Sequence, residues 1–305
     1  MRDRLILGPL LIALLIGGLA LDQFLDAKPA PALLQGVLGA TWPPGVVVFV
    51  VMALVAVLAA RELAAILAAN GVLASKRIMT FAAIVGMLAS GVVPGLVNPA
   101  ESAAAVGSAG VVVLVTALAF YSRHRSVEGV VAATGGALLA FVYLGLMFGF
   151  LLAIRGEHSA WVLLWVLLVT KACDIGGLFA GKAFGRHKLI PWLSPGKTWE
   201  GLAGGLVLSG LVAWGGMAAL DRWAGMVTPA WGWCVLAGVA LGLVGQVGDL
   251  LESMLKRDAG MKDSGKGVPG LGGVLDMIDS PLLAAPVAYW MLHVMARAGF
   301  GAGSP

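Results

Sequence analysis

The residues in this sequence that could do chemistry are gathered in two short polar stretches, and the denser of them reads KRDAGMKDSGKG at positions 256 to 267. Four cations and two aspartates fall within those twelve residues of a chain that is only 12% charged. Just ahead, Asp249, Glu252, Ser253 and Lys256 are spaced i, i+3, i+4 and i+7, which on a helix makes a single polar stripe. Just behind, Asp276 and Asp279 are three apart, so one helical face presents both. Six of the chain's sixteen acidic residues lie between 249 and 279. Carboxylates offered by two helix ends suit a hard cation such as magnesium, which commonly shares its shell with substrate phosphates. The adjacent Lys256, Arg257 and Lys262 suit a polyphosphate. The competing reading is an interfacial loop whose charges neutralise one another.

The other polar stretch is TKACDIGGLFAGKAFGRHKLIPWLSPGKTWEG, residues 170–201. Lys171 and Asp174 share a helical face inside an apolar run. They are either a pair holding helices together or a site facing water or substrate. SPGKT resembles the end of a phosphate-binding P-loop, but Pro191 stands where that motif requires its first glycine, and no strand is expected ahead of it. Ser194, Gly196, Lys197 and Thr198 could still offer N–H groups and a cation to a phosphate at a helix start. A turn followed by an ordinary capped helix reads equally well. His187 is expected at an interface and not as a ligand.

The elements that must carry these residues are membrane helices. The chain has 305 residues, is 60% hydrophobic and has a mean hydropathy of +0.95, too apolar for one soluble core. A span needs roughly 20 apolar residues, and nine candidates are legible, at about 5–22, 45–60, 78–94, 104–121, 130–154, 160–180, 201–219, 231–250 and 281–298. The fold expected is an all-α polytopic integral membrane protein with its N-terminus cytoplasmic. With alternating loops, the inner segments hold Arg2, Arg4, Arg61, Lys76, Arg77, Arg123, Arg125, Lys182, Arg186, Lys188, Lys197, Lys256, Arg257, Lys262 and Lys266. The outer ones hold only Lys28, Arg155, Arg222 and Arg297, fifteen cations against four. That bias accounts for the pI near 9.2 without a nucleic-acid partner. The first apolar run is read as a retained anchor, with a cleaved signal peptide as the alternative.

Residues 1–155 are expected to be transmembrane helices with short loops. Residues 156–305 form a second region with two cytoplasmic polar loops at about 181–200 and 251–280. Glycine pairs such as Gly145/Gly149 and Gly238/Gly242 read as close helix packing. Cys173 and Cys234 suggest neither a disulfide framework nor a zinc site. A transporter would need ionisable residues near the middle of several spans and an internal repeat; the charges here gather at one edge.

Ser253-Met-Leu-Lys256-Arg257, then Lys262-Asp263, then Pro269, Gly272-Gly273, Asp276 and Asp279 resemble the signature of the phosphatidate cytidylyltransferases, or CDP-diacylglycerol synthases. Asp174-Ile-Gly-Gly, Gly185-Arg-His-Lys188 and Ser194-Pro-Gly-Lys-Thr-Trp-Glu-Gly201 resemble the family's upstream block, so the likeness covers roughly 165–282. Leu271 replaces the family's usual histidine, Met277 its usual arginine, and Val268 is a conservative change. These departures bear on substrate detail, and a catalytically inactive homologue is one reading of them.

The resemblance implies that CTP and phosphatidic acid give CDP-diacylglycerol and pyrophosphate, for phospholipid synthesis, at the cytoplasmic face of a bacterial membrane. It implies Asp249, Asp276 and Asp279 as ligands of Mg²⁺ in a site with room for two metals, the second divalent or monovalent. Asp249 and Asp276 would be catalytic together with Lys256, Arg257 and Lys262, which neutralise phosphates. Ser194, Lys197, Thr198, Asp263 and Asp174 would hold substrate. It also implies a homodimer. A CTP-dependent polyprenol kinase could share this carboxylate-and-cation site while moving the γ-phosphate.

Overall fold

In the computed structural model, residues 2–26, 28–33, 35, 40–124, 127–224, 229–262, 264–265 and 272–297 are described. Among them the chain forms nine helices: α1 (Arg2–Leu25), α2 (Val46–Ala69), α3 (Lys76–Gly91), α4 (Pro99–Tyr121), α5 (Val130–Glu157), α6 (Ala160–Phe184), α7 (Trp199–Ala224), α8 (Trp231–Asp258) and α9 (Val274–Arg297). Inside α5 the residues Ala140–Leu146 widen to a π-helical turn. Eight of the nine are long and apolar enough to cross a membrane. The exception, α9, overlaps the ninth expected span but is diluted by Asp276, Asp279, His293 and Arg297. Large apolar side chains such as Leu14, Leu54 and Val131 point outward, as they do when lipid is the solvent and backbone bonds close within each helix. The chain is an integral membrane protein.

Two expectations change. Helix α2 runs on to Ala69 instead of ending near residue 60, so Arg61 and Glu62 are helical. And a strand does precede SPGKT: Lys188–Ile190 (β1) pairs antiparallel with Ser194–Thr198 (β2). The pairing is a local hairpin turned by Pro191, Trp192 and Leu193. It leaves SPGKT extended, unlike a loop wrapped around an anion, so the P-loop comparison fails for a second reason.

The chain divides into two compact units, Met1–Ala160 with Asp258–Met277, and Trp161–Arg257 with Ile278–Pro305. In the first, small residues let α3 and α5 touch: a Cβ on Gly145 would sit 2.7 Å from the Ala83 carbonyl, and one on Gly149 would overlap the Ser90 hydroxyl. In the second, a Cβ on Gly238 would sit 2.5 Å from the Ser209 carbonyl and one on Gly242 2.7 Å from the Ser209 Oγ. Both glycine pairs therefore serve close helix approach, as their spacing suggests.

The first unit is tied at one end by a buried charge. Arg155, 2% exposed, reaches Asp22 Oδ2 at 2.5 Å through Nε and Asp26 Oδ2 at 2.6 Å through Nη2. Its Nη1 donates to the His158 carbonyl at 3.1 Å. The other oxygen of Asp22 accepts from the Val47 and Val48 N–H groups at 2.7 and 3.2 Å, satisfying orphan donors in the first turn of α2. Gln23 accepts from the Ala160 N–H at 2.8 Å. Residues of α1, α2 and α5 thus share one knot. Breaking such a pair strands a charge, so Arg155→Ala is expected to cost about 3–5 kcal/mol, seen as a lower denaturation midpoint in detergent. An unchanged midpoint would mean that the knot carries no stability.

Candidate functional site

In the second unit the apolar helices present three carboxylates to one another. The α8 helix continues past residue 250 to Asp258, so the polar stripe forms as its spacing requires. Asp249 and Glu252 lie on it one turn apart, and Ser253 Oγ approaches Asp249 Oδ1 at 3.5 Å. Gly248 makes room for the partner helix: a Cβ there would sit 2.6 Å from the Asp279 carbonyl. At this contact oxygens of Asp249, Glu252 and Asp279 all lie within 4.8 Å of one another. Glu252 is fully buried and Asp279 is 4% exposed.

Three carboxylates this close would repel strongly in a low-dielectric setting. Each is met by its own lysine. Lys197, brought in by β2, places Nζ 2.7 Å from Asp249 Oδ2. Lys256, one turn along α8, pairs with Glu252. Lys171 of α6 lies 3.6 Å from Asp279 Oδ1 and 3.2 Å from Asp174 Oδ2. The Lys171–Asp174 pair is therefore linked to the cluster and does more than clamp one helix to another. Asp174 also accepts from Gln246 Nε2 at 2.8 Å and Ser280 Oγ at 3.3 Å, and Asp279 accepts from the Ser280 N–H at 2.6 Å.

The donor set suits a hard divalent cation: three carboxylates from two helices, all oxygen, at a spacing that small side-chain rotations could close around one ion. The same corner carries lysines that a phosphate could engage. Thr198 is buried, and its Oγ1 accepts from the Gly201 N–H at 3.1 Å, capping α7. Its hydroxyl proton remains to donate elsewhere. Ser194 is half-buried at the start of β2. Arg257 and Lys262 are exposed. His187 pairs with Glu200 at 2.6 Å on the surface.

In the first unit, Asp276 stands at the start of α9. Its Oδ2 accepts from the Gly273 N–H at 2.8 Å, the Ser264 N–H at 3.2 Å and the Ser264 hydroxyl at 3.0 Å. This is the reach of an N3 residue back to its cap. Asp263, Lys266, Val268, Pro269 and Leu271 lie outside the described residues, as does Arg125. Sequence reasoning placed Glu252 on the stripe without giving it a role, and passed over Gln246 and Ser280. For the first, the sequence offered only the spacing of Glu252 four residues before Lys256, which does not reveal that the glutamate is fully buried. The other two carry no spacing that marks them.

A family model described as "Cytidylyltransferase family" matches residues 30–295. The chain is similar to the phosphatidate cytidylyltransferase of Bacillus subtilis, 37% identical over 53% of this chain and 59% of that protein. It is similar to that of Chlamydia muridarum, 34% identical over 60% and 62%, and to that of Haemophilus influenzae, 42% identical over 45% and 48%. The chain thus spans about half to three fifths of the length of the curated relatives it matches.

If the triad is a cation site, Glu252→Gln, which keeps shape and removes a charge, should weaken Mn²⁺ or Mg²⁺ binding at least about tenfold. Calorimetric titration of the purified protein measures this. Equal affinity in the variant would remove Glu252 from the ligand set.

Proposed function

The chain belongs to the cytidylyltransferase family, and from that premise we propose that it transfers the cytidylyl group of CTP to phosphatidic acid, releasing pyrophosphate and forming CDP-diacylglycerol. The observation that carries this reading is the triad of Asp249, Glu252 and Asp279 with a lysine on each carboxylate. It offers both halves of what a metal-bound triphosphate needs. The named relatives support the lipid acceptor.

In the reaction, a phosphatidate phosphate oxygen attacks the α-phosphorus of CTP in line. One O–P bond forms as the bond from the α-phosphorus to the bridging oxygen breaks, and pyrophosphate leaves with that electron pair. The attacking phosphate is already an anion, so no general base is required. Catalysis is then positioning and charge neutralisation. Asp249 and Asp279, with Glu252 beside them, would hold Mg²⁺; Asp276 is a further ligand by resemblance, and a second ion, divalent or monovalent, is compatible with the family. A divalent ion held there supplies charge neutralisation and orientation to the phosphates.

Lys197 and Lys256 each face a carboxylate. With the carboxylates holding a cation, the ammonium groups of Lys197 and Lys256 would be available to phosphate oxygens. Arg257 and Lys262, both exposed, are assigned to the triphosphate by resemblance. Ser194, Thr198, Asp174 and Asp263 are assigned to substrate by resemblance, with the Thr198 hydroxyl proton available to donate while its oxygen caps α7.

We place residues 156–305 as the catalytic region, behind an N-terminal set of helices, in a bacterial cytoplasmic membrane. The N-terminus and the active site face the cytoplasm, where the bilayer delivers the lipid and the cytosol the nucleotide. Homodimerisation follows from resemblance alone.

The test uses purified protein in detergent with Mg²⁺, phosphatidic acid and CTP labelled at the α- or the γ-phosphorus. Label from α-CTP in the lipid with matching pyrophosphate, reduced at least about 100-fold in Asp249→Asn, is the expected result. Label from γ-CTP in a polyprenol would mean a kinase. No lipid label from a folded protein would sink the transferase reading.

A further inference from the structure

Helix α2 contributes Glu62, a carboxylate that the site described above does not use. Its Oε1 accepts from the Val274 N–H at 2.9 Å and its Oε2 from the Leu275 N–H at 2.9 Å. These are the first two amides of α9, donors that a helix leaves without partners and whose dipole favours a negative charge. Oε2 also lies 3.1 Å from the Ser264 hydroxyl. That hydroxyl, on a residue 1% exposed, lies 3.0 Å from Asp276 Oδ2 as well. It has one proton to share between two carboxylates, so Glu62, Ser264 and Asp276 behave as one unit.

The glycines around this unit fit it. A Cβ on Gly265 would sit 2.8 Å from Glu62 Oε1. One on Gly273 would overlap the Ser264 hydroxyl and come within 2.6 Å of Glu62 Oε2. Gly272 holds a left-handed φ of 95°, which turns the chain into α9. Two glycines of a run that reads as flexible therefore lie in close approach to one carboxylate. A glutamate within an apolar helix is costly to keep, which argues for a demand beyond ordinary capping.

We propose that Glu62 is a positioning residue for cytidylyl transfer: from the N-terminal helices it fixes the start of α9 and, through Ser264, the direction of the Asp276 carboxylate. The inference rests on the proposed function, because it gives Asp276 a part in that reaction. It assigns to the N-terminal set of helices a residue that sets turnover.

The experiment compares full-length wild type, Glu62→Gln, Glu62→Ala, Ser264→Ala and the Glu62→Ala/Ser264→Ala double variant in detergent. It reads kcat, KM for phosphatidic acid, and hydrogen exchange of the amides of residues 272–276. For Glu62→Ala the expected kcat is lower by about 30-fold or more, since small misplacements at a reacting centre carry such losses, with KM for the lipid within about twofold. Exchange should quicken at least about tenfold. The double variant should be no worse than Glu62→Ala within about twofold, because both act through the same contact. Glu62→Gln keeps the shape and one acceptor oxygen, so its loss is intermediate; it carries the test if Glu62→Ala is not recovered folded. A purely structural cap would lower the yield of folded protein but leave kcat per folded molecule intact, and that result overturns the proposal, as do unchanged exchange or multiplying losses. If wild type itself transfers no cytidylyl group, the functional reading falls, and exchange at 272–276 alone then decides whether Glu62 fixes this segment.

Discussion

Three carboxylates cannot share an apolar corner unless their charge is answered, and here Asp249, Glu252 and Asp279 are each answered by a lysine. The desolvation cost of each acid is several kcal/mol, so the second unit is organised around neutralising them. Lys256 comes from the same helix one turn on, Lys171 from α6, and Lys197 from the hairpin. The hairpin's role becomes intelligible in that light. An extended Ser194–Thr198 delivers Lys197 to Asp249 while Thr198 caps the helix that follows. Three carboxylates so placed would suit a divalent cation, and the lysines beside them would suit phosphate oxygens.

Glycine makes the arrangement possible. Helices that touch at Gly248 and Gly238 bring backbone to backbone at distances a Cβ would forbid, and the acids of α8 then meet Asp279 directly. In the first unit the same device serves α3 and α5, while polar knots hold the ends. Arg155 with Asp22 and Asp26 secures α1 and α2; Glu62 secures the start of α9. In each case a carboxylate, buried at Asp22 and half-buried at Glu62, accepts from the amides of a helix's first turn, where an apolar chain has few other acceptors to offer.

Much of this was legible from spacing. The helices follow from apolar run length, which is a local property, and all nine expected spans meet a helix. The stripe at 249, 252, 253 and 256 follows from helical periodicity. Asp249, Asp276 and Asp279 are the metal ligands expected from the sequence; the carboxylates of Asp249 and Asp279 meet in the cluster, whereas Asp276 is turned back onto the Gly273 N–H at the start of α9. Glu252 was not among those expected, because a glutamate four residues before a lysine reads first as a surface pair, and only burial changes that. Arg155 was counted as a topological charge, since its partners lie 133 and 129 residues away. Glu62 was invisible for the same reason, being 212 residues from the amide it caps, beyond the point where α2 was expected to end. The β1–β2 hairpin was missed because three residues, Lys188–Ile190, are too few to show an alternating pattern.

The central claim is that the acids of α8 and α9 hold a cation which in turn holds the nucleotide's phosphates. Electron–nuclear double resonance on the purified protein with Mn²⁺ and CTP tests it most directly. The account predicts protein-bound Mn²⁺ with ³¹P coupling from the triphosphate, lost or sharply reduced in Asp279→Asn. Bound Mn²⁺ without phosphorus coupling, or coupling unchanged in that variant, would contradict it.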